Sequence, residues 1–222
     1  MSAVRMLAMV PALVALGWAS AQALRIGSAD AIVYDAAKEI GTWIASRSAP
    51  APQTRQWVQD DLQRAAARVP GDPSVQELLG LLQGFAPEYT DDALVHFSKA
   101  LELRPTSPYS WANLIAAYYR KGGSGPGFEA ALRRAAETGP SEPEVQRAVV
   151  DYGLAVYDEV GPATRAAIDR MIAGGMIRNP LEIMRIAQRR GRLDTACRHL
   201  AESPRRTESK WQQVCPSTEA TP

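Results

Sequence analysis

The chain has 222 residues, with 25 Lys and Arg against 24 Asp and Glu and a formal net charge of +1. This near balance excludes the clustered positive field with which nucleic-acid binders displace counterions. Ala, Leu, Arg and Glu are abundant and runs of Val, Ile and Thr are short, so the composition favours helix and no stretch reads as a strand.

In chain order, a short head with one positive charge (residues 1–5) precedes a wholly apolar run, MLAMVPALVALGW, over residues 6–18. Ala19-Ser20-Ala21 then has the A-x-A form that signal peptidase accommodates, and Ala21-Gln22-Ala23 offers a second cut. Two readings stand side by side. One is a cleaved secretory signal; the other is an uncleaved anchor over residues 6–24, whose 19 residues include Pro11 and lie near the lower limit for crossing a bilayer. Either places the remainder outside the cytoplasm, in the periplasm or held at the inner membrane facing it. The expected organisation is a signal or anchor over 1–23, a helical domain over 24–202, and a polar tail over 203–222.

An amphipathic helix is expected over 28–47, followed by a break at Ala49-Pro50-Ala51-Pro52 and a second helix over 54–69. From there a ruler runs along the chain. Pro70, Pro105 and Pro140 are spaced by 35 residues, and aligning on them brings Ala65, Ala100 and Ala135 into one column. Leu62, Phe97 and Leu132 form another, Val58, Ala93 and Phe128 a third, and Leu79, Leu114 and Val149 a fourth. Small alanines let helices approach closely, and the large residue three positions earlier fills the gap between them. The proline ends the second helix of each unit, because it has no N–H and restricts the residue before it. Further helices are expected over 142–158, 162–172, 180–190 and 192–201, with Leu193 and Ala196 inward.

This pattern resembles the tetratricopeptide repeat, whose period is near 34 residues. DALVHFSKALELRP over 92–105 is similar to its second helix and closing proline, and Trp111, Leu114 and Tyr118 match its first-helix W-x2-L-x3-Y. The preceding unit keeps Leu79-Gly80 but has Gln76 where the aromatic would sit. KGGSGPG over 121–127 is longer and richer in glycine than the usual turn and reads as an exposed loop. The resemblance implies an all-α, right-handed solenoid of four to five helix pairs, each stacking to cover an apolar face it cannot bury alone.

Catalytic motifs are missing from the sequence: there is no G-x-S-x-G, no P-loop and no dinucleotide fingerprint. His96 reads as a rim histidine without an orienting partner. Asp60-Asp61 and Asp91-Asp92 lie near helix starts, where carboxylates cap or complement the dipole. Only His96 and His199 could join the two cysteines at a metal, and no ligand spacing appears, so neither metal nor cofactor is expected. Cys197 and Cys215, 18 residues apart, would pair in an oxidising compartment; otherwise they are two free thiols. The chain therefore reads as a binding protein and not as an enzyme.

Tyr109, Asn113, Tyr119 and Arg120, with Arg147 and Asp151 in the next unit, fall where tetratricopeptide proteins present groove residues. An aromatic-plus-amide groove suits an extended peptide or a stacked sugar ring. The alternative is a set of solvated helix positions. LRPTSPYSWANLIAAYYRKG, followed by FEAALRRAAETGPSEPEVQ, resembles the VpsP family of bacterial polysaccharide-biosynthesis proteins, on R-P-T-x-P-Y-x-W-A-N-L and A-x-x-x-G-P-x-E-P. That resemblance implies an accessory role in making or exporting an extracellular polysaccharide, with other proteins of that system as partners. A module contacting the polymer directly, and a generic periplasmic assembly factor, are the alternatives.

Overall fold

A computed structural model describes residues 3–86 (side chains from residue 11), 90–204 and 214–215. Among them are ten α-helices and no strand: α1 (Ala3–Ser46), α2 (Pro52–Arg68), α3 (Pro73–Gln83), α4 (Thr90–Leu103), α5 (Pro108–Arg120), α6 (Pro126–Thr138), α7 (Pro143–Ala155), α8 (Pro162–Arg178), α9 (Pro180–Arg189) and α10 (Leu193–Ala201). The protein is all-α. The side chains of the basic head and most of the polar tail over 203–222 lie outside the described residues.

Proline sets most of the helix starts. Seven helices (α2, α3 and α5 to α9) open on it, at a position where the missing N–H would have had no helical partner and the fixed φ suits the first turn. Pro70, Pro105 and Pro140 each lie two residues beyond the end of α2, α4 and α6, so they close one helix while Pro73, Pro108 and Pro143 open the next. Asp72 caps α3 by accepting from Ser74 N–H at 2.8 Å, and Ser107 caps α5 by accepting from Ser110 N–H at 3.3 Å. α8 starts after Gly161, which has no side chain to cap with. Glu129 of α6 serves instead, accepting from Gly161 N–H at 3.2 Å and from the Thr164 hydroxyl at 2.5 Å.

Two expected helices come out longer. The segment expected over 28–47 is the second half of α1, which has no proline after Pro11, carries its glycines within the helix and ends at Ser46 before Arg47 turns left-handed at φ 52°. α8 continues past 172 through Gly174 and Gly175, because the missing Cβ of Gly175 is filled from outside: a Cβ there would lie 2.5 Å from the Ile183 side chain.

The chain forms two units, Met1–Leu103 and Arg104–Pro222. In the first, α1 packs on α2 and α3, α2 on α3, and α3 on α4. The core joins Ala36 and Ile40 of α1 to Val58, Leu62 and Ala65 of α2 and to Val75, Leu79 and Leu82 of α3. Phe97 of α4 lies against Gly80 of α3 so closely that a Cβ there would sit 2.6 Å from its ring. From Pro11 to Ser28 of α1 every residue is exposed except half-exposed Gln22, apolar Leu13, Val14, Leu16 and Trp18 included. No helix among the described residues is long and apolar enough to cross a membrane.

In the second unit α5, α7 and α9 lie side by side in one layer, and α6, α8 and α10 in another. Alanine and glycine set the spacing: Ala131 and Ala135 are fully buried, and a Cβ on Gly153 of α7 would meet Ile168 of α8 at 2.6 Å. The loop after α5 turns through Gly122 at φ 83°, a left-handed conformation that favours glycine. Gly127, just inside α6, leaves room for the Tyr118 hydroxyl, which a Cβ would meet at 2.7 Å.

Cys197 of α10 is bonded to Cys215, with Cα atoms 5.5 Å apart, so the C-terminal segment is tied to the last helix. Replacing both by Ser is expected to cost about 3 kcal/mol, as for a closed loop of this length. Denaturant unfolding with and without reductant checks it: the variant should lose its sensitivity to reductant, which the native chain shows. Gly80→Ala is expected to destabilise by about 1–3 kcal/mol, because the added methyl must displace the Phe97 ring in a filled core. Recovery of stability in Gly80→Ala/Phe97→Leu, relative to the sum of the single changes, would identify that contact as the cause.

Candidate functional site

The six residues singled out as a groove all lie in the second unit, on α5 and α7. The structure sorts five of them into three rows: one between α5 and the start of α7, one between α7 and α9, and one from α5 across α7 to the end of α9.

The first row is at the helix N-termini. Tyr109 of α5, 45% exposed, donates its hydroxyl to Glu142 Oε2 at 2.6 Å, and that hydrogen bond raises the phenol pKa above its ordinary value. Glu142 is also the residue on which α7 begins, so the bond fixes the ring against the start of the neighbouring helix. One turn further along α5, Asn113 is half-exposed and makes no side-chain hydrogen bond among the described residues.

In the second row Arg147 of α7 and Arg185 of α9 both approach Glu182 of α9, at 3.9 and 4.0 Å. These are ion pairs beyond hydrogen-bonding distance. Both guanidiniums are mostly solvated, 53% and 68% exposed, and a single carboxylate serves the two of them.

The third row is the best ordered. Arg190, immediately after α9, donates Nε and Nη2 to the two oxygens of Asp151 at 2.9 and 3.1 Å, a bidentate fork that raises the guanidinium pKa. Its Nη1 reaches the Tyr119 hydroxyl at 3.4 Å, and its guanidinium lies over the Tyr119 ring, 5.6 Å from the centroid. Tyr119 also packs on Tyr152 of α7, with centroids 5.0 Å apart, and on Phe128 of α6. Burial pushes the Tyr152 phenol up, partly offset by the charges of Arg120 and Arg190. Arg189 approaches the same Asp151 at 3.7 Å. Tyr119 and Asp151 are thus joined through Arg190, and the rings of Tyr119 and Tyr152 are turned to one another.

Tyr152, Glu182, Arg185, Arg189 and Arg190 were not among the residues singled out from the sequence. Arg147 and Glu182 stand 35 residues apart, one full period, and that spacing alone would have placed them on adjacent units. For Arg190, just beyond the helix, no such signal exists.

The other candidates have structural partners. Trp111 is half-buried, donates its indole N–H to Pro105 O at 2.9 Å, and carries Arg134 over its ring. His96 faces buried Gln76 of α3, with Nδ1 2.9 Å from Oε1, and burial lowers its pKa. Asp60 accepts from Gln56, and Asp61 pairs with Arg64. His199 Nε2 and the Tyr157 hydroxyl both meet Asp169 Oδ1, at 3.0 and 2.7 Å, which ties α10 to α8. Burial first, then the bond to Asp169, push the Tyr157 phenol up to about 12. No group of three His, Cys, Asp or Glu among the described residues could hold a metal ion.

Compared with protein-family models and with curated proteins, the chain matches none.

Removing the Asp151 charge leaves Arg190 without its fork. Asp151→Asn is expected to cost about 1–2 kcal/mol, discounted because both groups remain partly solvated. In the Arg190→Gln background the same change should cost almost nothing. Equal costs in the two backgrounds, measured by chemical denaturation, would contradict the coupling.

Proposed function

We propose that this chain is a non-catalytic envelope scaffold for exopolysaccharide biosynthesis or export, which binds other proteins of that system through the face of α5 and α7. Its helix pairs are read as tetratricopeptide-like units of a right-handed solenoid. Lodged in the periplasm or held at the inner membrane facing it, the chain reaches that compartment through its apolar N-terminal segment.

The observation that carries the binding reading is the side-by-side layer of α5, α7 and α9. It offers a solvated row of polar and aromatic side chains across several helices, at positions tetratricopeptide proteins use for partners. Half-exposed Asn113, with both amide donors and its acceptor uncommitted among the described residues, and exposed Tyr109 are suited to an extended backbone laid across the helices. The polysaccharide setting rests on the resemblance of residues 103–149 to the VpsP family. The disulfide between Cys197 and Cys215 suits an oxidising compartment.

Deleting the gene is expected to reduce surface exopolysaccharide, and the native chain should restore it. A Tyr109→Ala/Asn113→Ala variant, made at normal levels, should fail to restore it. Unchanged polymer amount and length after deletion would sink the proposal, as would turnover of an oligosaccharide by the purified protein.

A further inference from the structure

The second and third rows hold more positive charge than their carboxylates can answer. Glu182 is shared by Arg147 and Arg185, and Asp151 by Arg189 and Arg190. Four guanidiniums therefore meet two carboxylates, an excess of two positive charges within these two rows, although the whole chain carries only +1. Exposed Arg120 at the end of α5 is close enough for its charge to act on Tyr152.

The four are not equivalent. Arg190 is committed, its donors directed at Asp151 and Tyr119. Arg147, Arg185 and Arg189 touch their carboxylates only at 3.7 to 4.0 Å, beyond hydrogen-bonding distance, and are 53%, 68% and 57% exposed. Each guanidinium presents a planar fork of N–H donors that matches a carboxylate at two points. Such a row, held in place by two native carboxylates that leave most donors unspent, is complementary to a ligand bringing carboxylates of its own.

We infer that Arg147, Arg185 and Arg189 form a docking row for an acidic peptide segment of a partner protein, with Glu182 acting as an internal competitor for the same arginines. This deepens the proposed role of the face and rests on it. A peptide is favoured over an acidic polysaccharide by the state of the nearby rings. Tyr119 is covered by Tyr152, Phe128 and Arg190, so it leaves no open stacking platform of the kind sugar rings use. An extended peptide needs none: its side chains reach the arginines while Asn113 can meet its backbone.

The test uses the full chain and three fluorescent probes: a dodecapeptide alternating Glu and Ser, its Lys–Ser counterpart, and an oligogalacturonate of the same charge. The Glu–Ser peptide is expected to bind, more weakly as salt is raised, and the Lys–Ser peptide is not. Arg147→Gln/Arg185→Gln should weaken binding about tenfold, and Glu182→Gln should tighten it, since the competitor is gone. Both changes are at solvated positions, and a melting curve close to that of the native chain checks that the fold is kept.

Equal binding of the Lys–Ser peptide, no binding of the Glu–Ser peptide, or affinity untouched by the arginine changes would overturn the inference. So would weaker binding by Glu182→Gln. Preference for the oligogalacturonate would replace the peptide by a glycan. These outcomes are separable from the scaffold role: a chain that restores exopolysaccharide yet ignores the Glu–Ser peptide fails here alone. A chain that binds the peptide while its deletion leaves the polymer unchanged fails only in the wider role.

Discussion

Close approach between helices, with one large side chain resting on a backbone that carries a hydrogen or a methyl, is the constraint on which both units depend. Phe97 lies on Gly80, Ile168 on Gly153 and Ile183 on Gly175, each at a distance that admits no Cβ. Ala65, Ala100 and Ala135 are wholly buried at matching places in α2, α4 and α6. Close packing of this kind gains dispersion contacts that a looser arrangement forfeits. It also has a directional effect. With spacing fixed by small residues, the layer of α5, α7 and α9 brings side chains of adjacent helices within 3 to 4 Å of one another, and the rows of charge follow from that.

Those rows illustrate a division of labour along one face. Where Arg190 meets Asp151 and Tyr119, each guanidinium nitrogen has a partner and the cluster works as a clasp between the end of α9 and the ends of α5 and α7. One turn away, Arg147 and Arg185 share Glu182 at ion-pair distance and stay solvated. Surface pairs of the latter kind add little to stability. They are inexpensive to rearrange, and an exposed recognition surface requires that property.

The columns that define the fold were legible because they are local and periodic. The prolines at 70, 105 and 140 mark helix ends, and the alanine and large-apolar columns mark the buried stripe, all from spacing alone. What spacing does not encode was missed. Arg190 acts from outside its helix, and no periodic argument places it over Tyr119. The helix expected over 162–172 runs on through Gly174 and Gly175, because Ile183 fills the space a side chain would need. Gln76, 35 residues before Trp111, looked like a departure from an aromatic position, and Gln146 stands 35 residues after Trp111. Each is buried and bonded to the following helix, Gln76 to His96 and Gln146 to the Met171 carbonyl, whereas Trp111 meets the following helix through Arg134 over its ring. The pairing of Cys197 with Cys215 could be anticipated only conditionally, since it depends on compartment as well as on position.

The place of that disulfide has a consequence for where the second unit can open. Helices stacked in layers are held mainly by their neighbours, so a terminal helix has fewer partners and frays at lower free energy than an internal one. α10 packs on α8 and α9, with nothing beyond it among the described helices. The bond is therefore attached to the element most prone to part from the stack. It closes a loop from α10 into the segment after it and is not fastened to α8 or α9, so it braces that end of the chain without tying α10 to the stack. α5 and α6, at the opposite end of the layers, gain nothing from it directly. A single cross-link thus braces only the end of the chain in which both its cysteines lie, and α10 still parts from α8 and α9 by losing their packing alone.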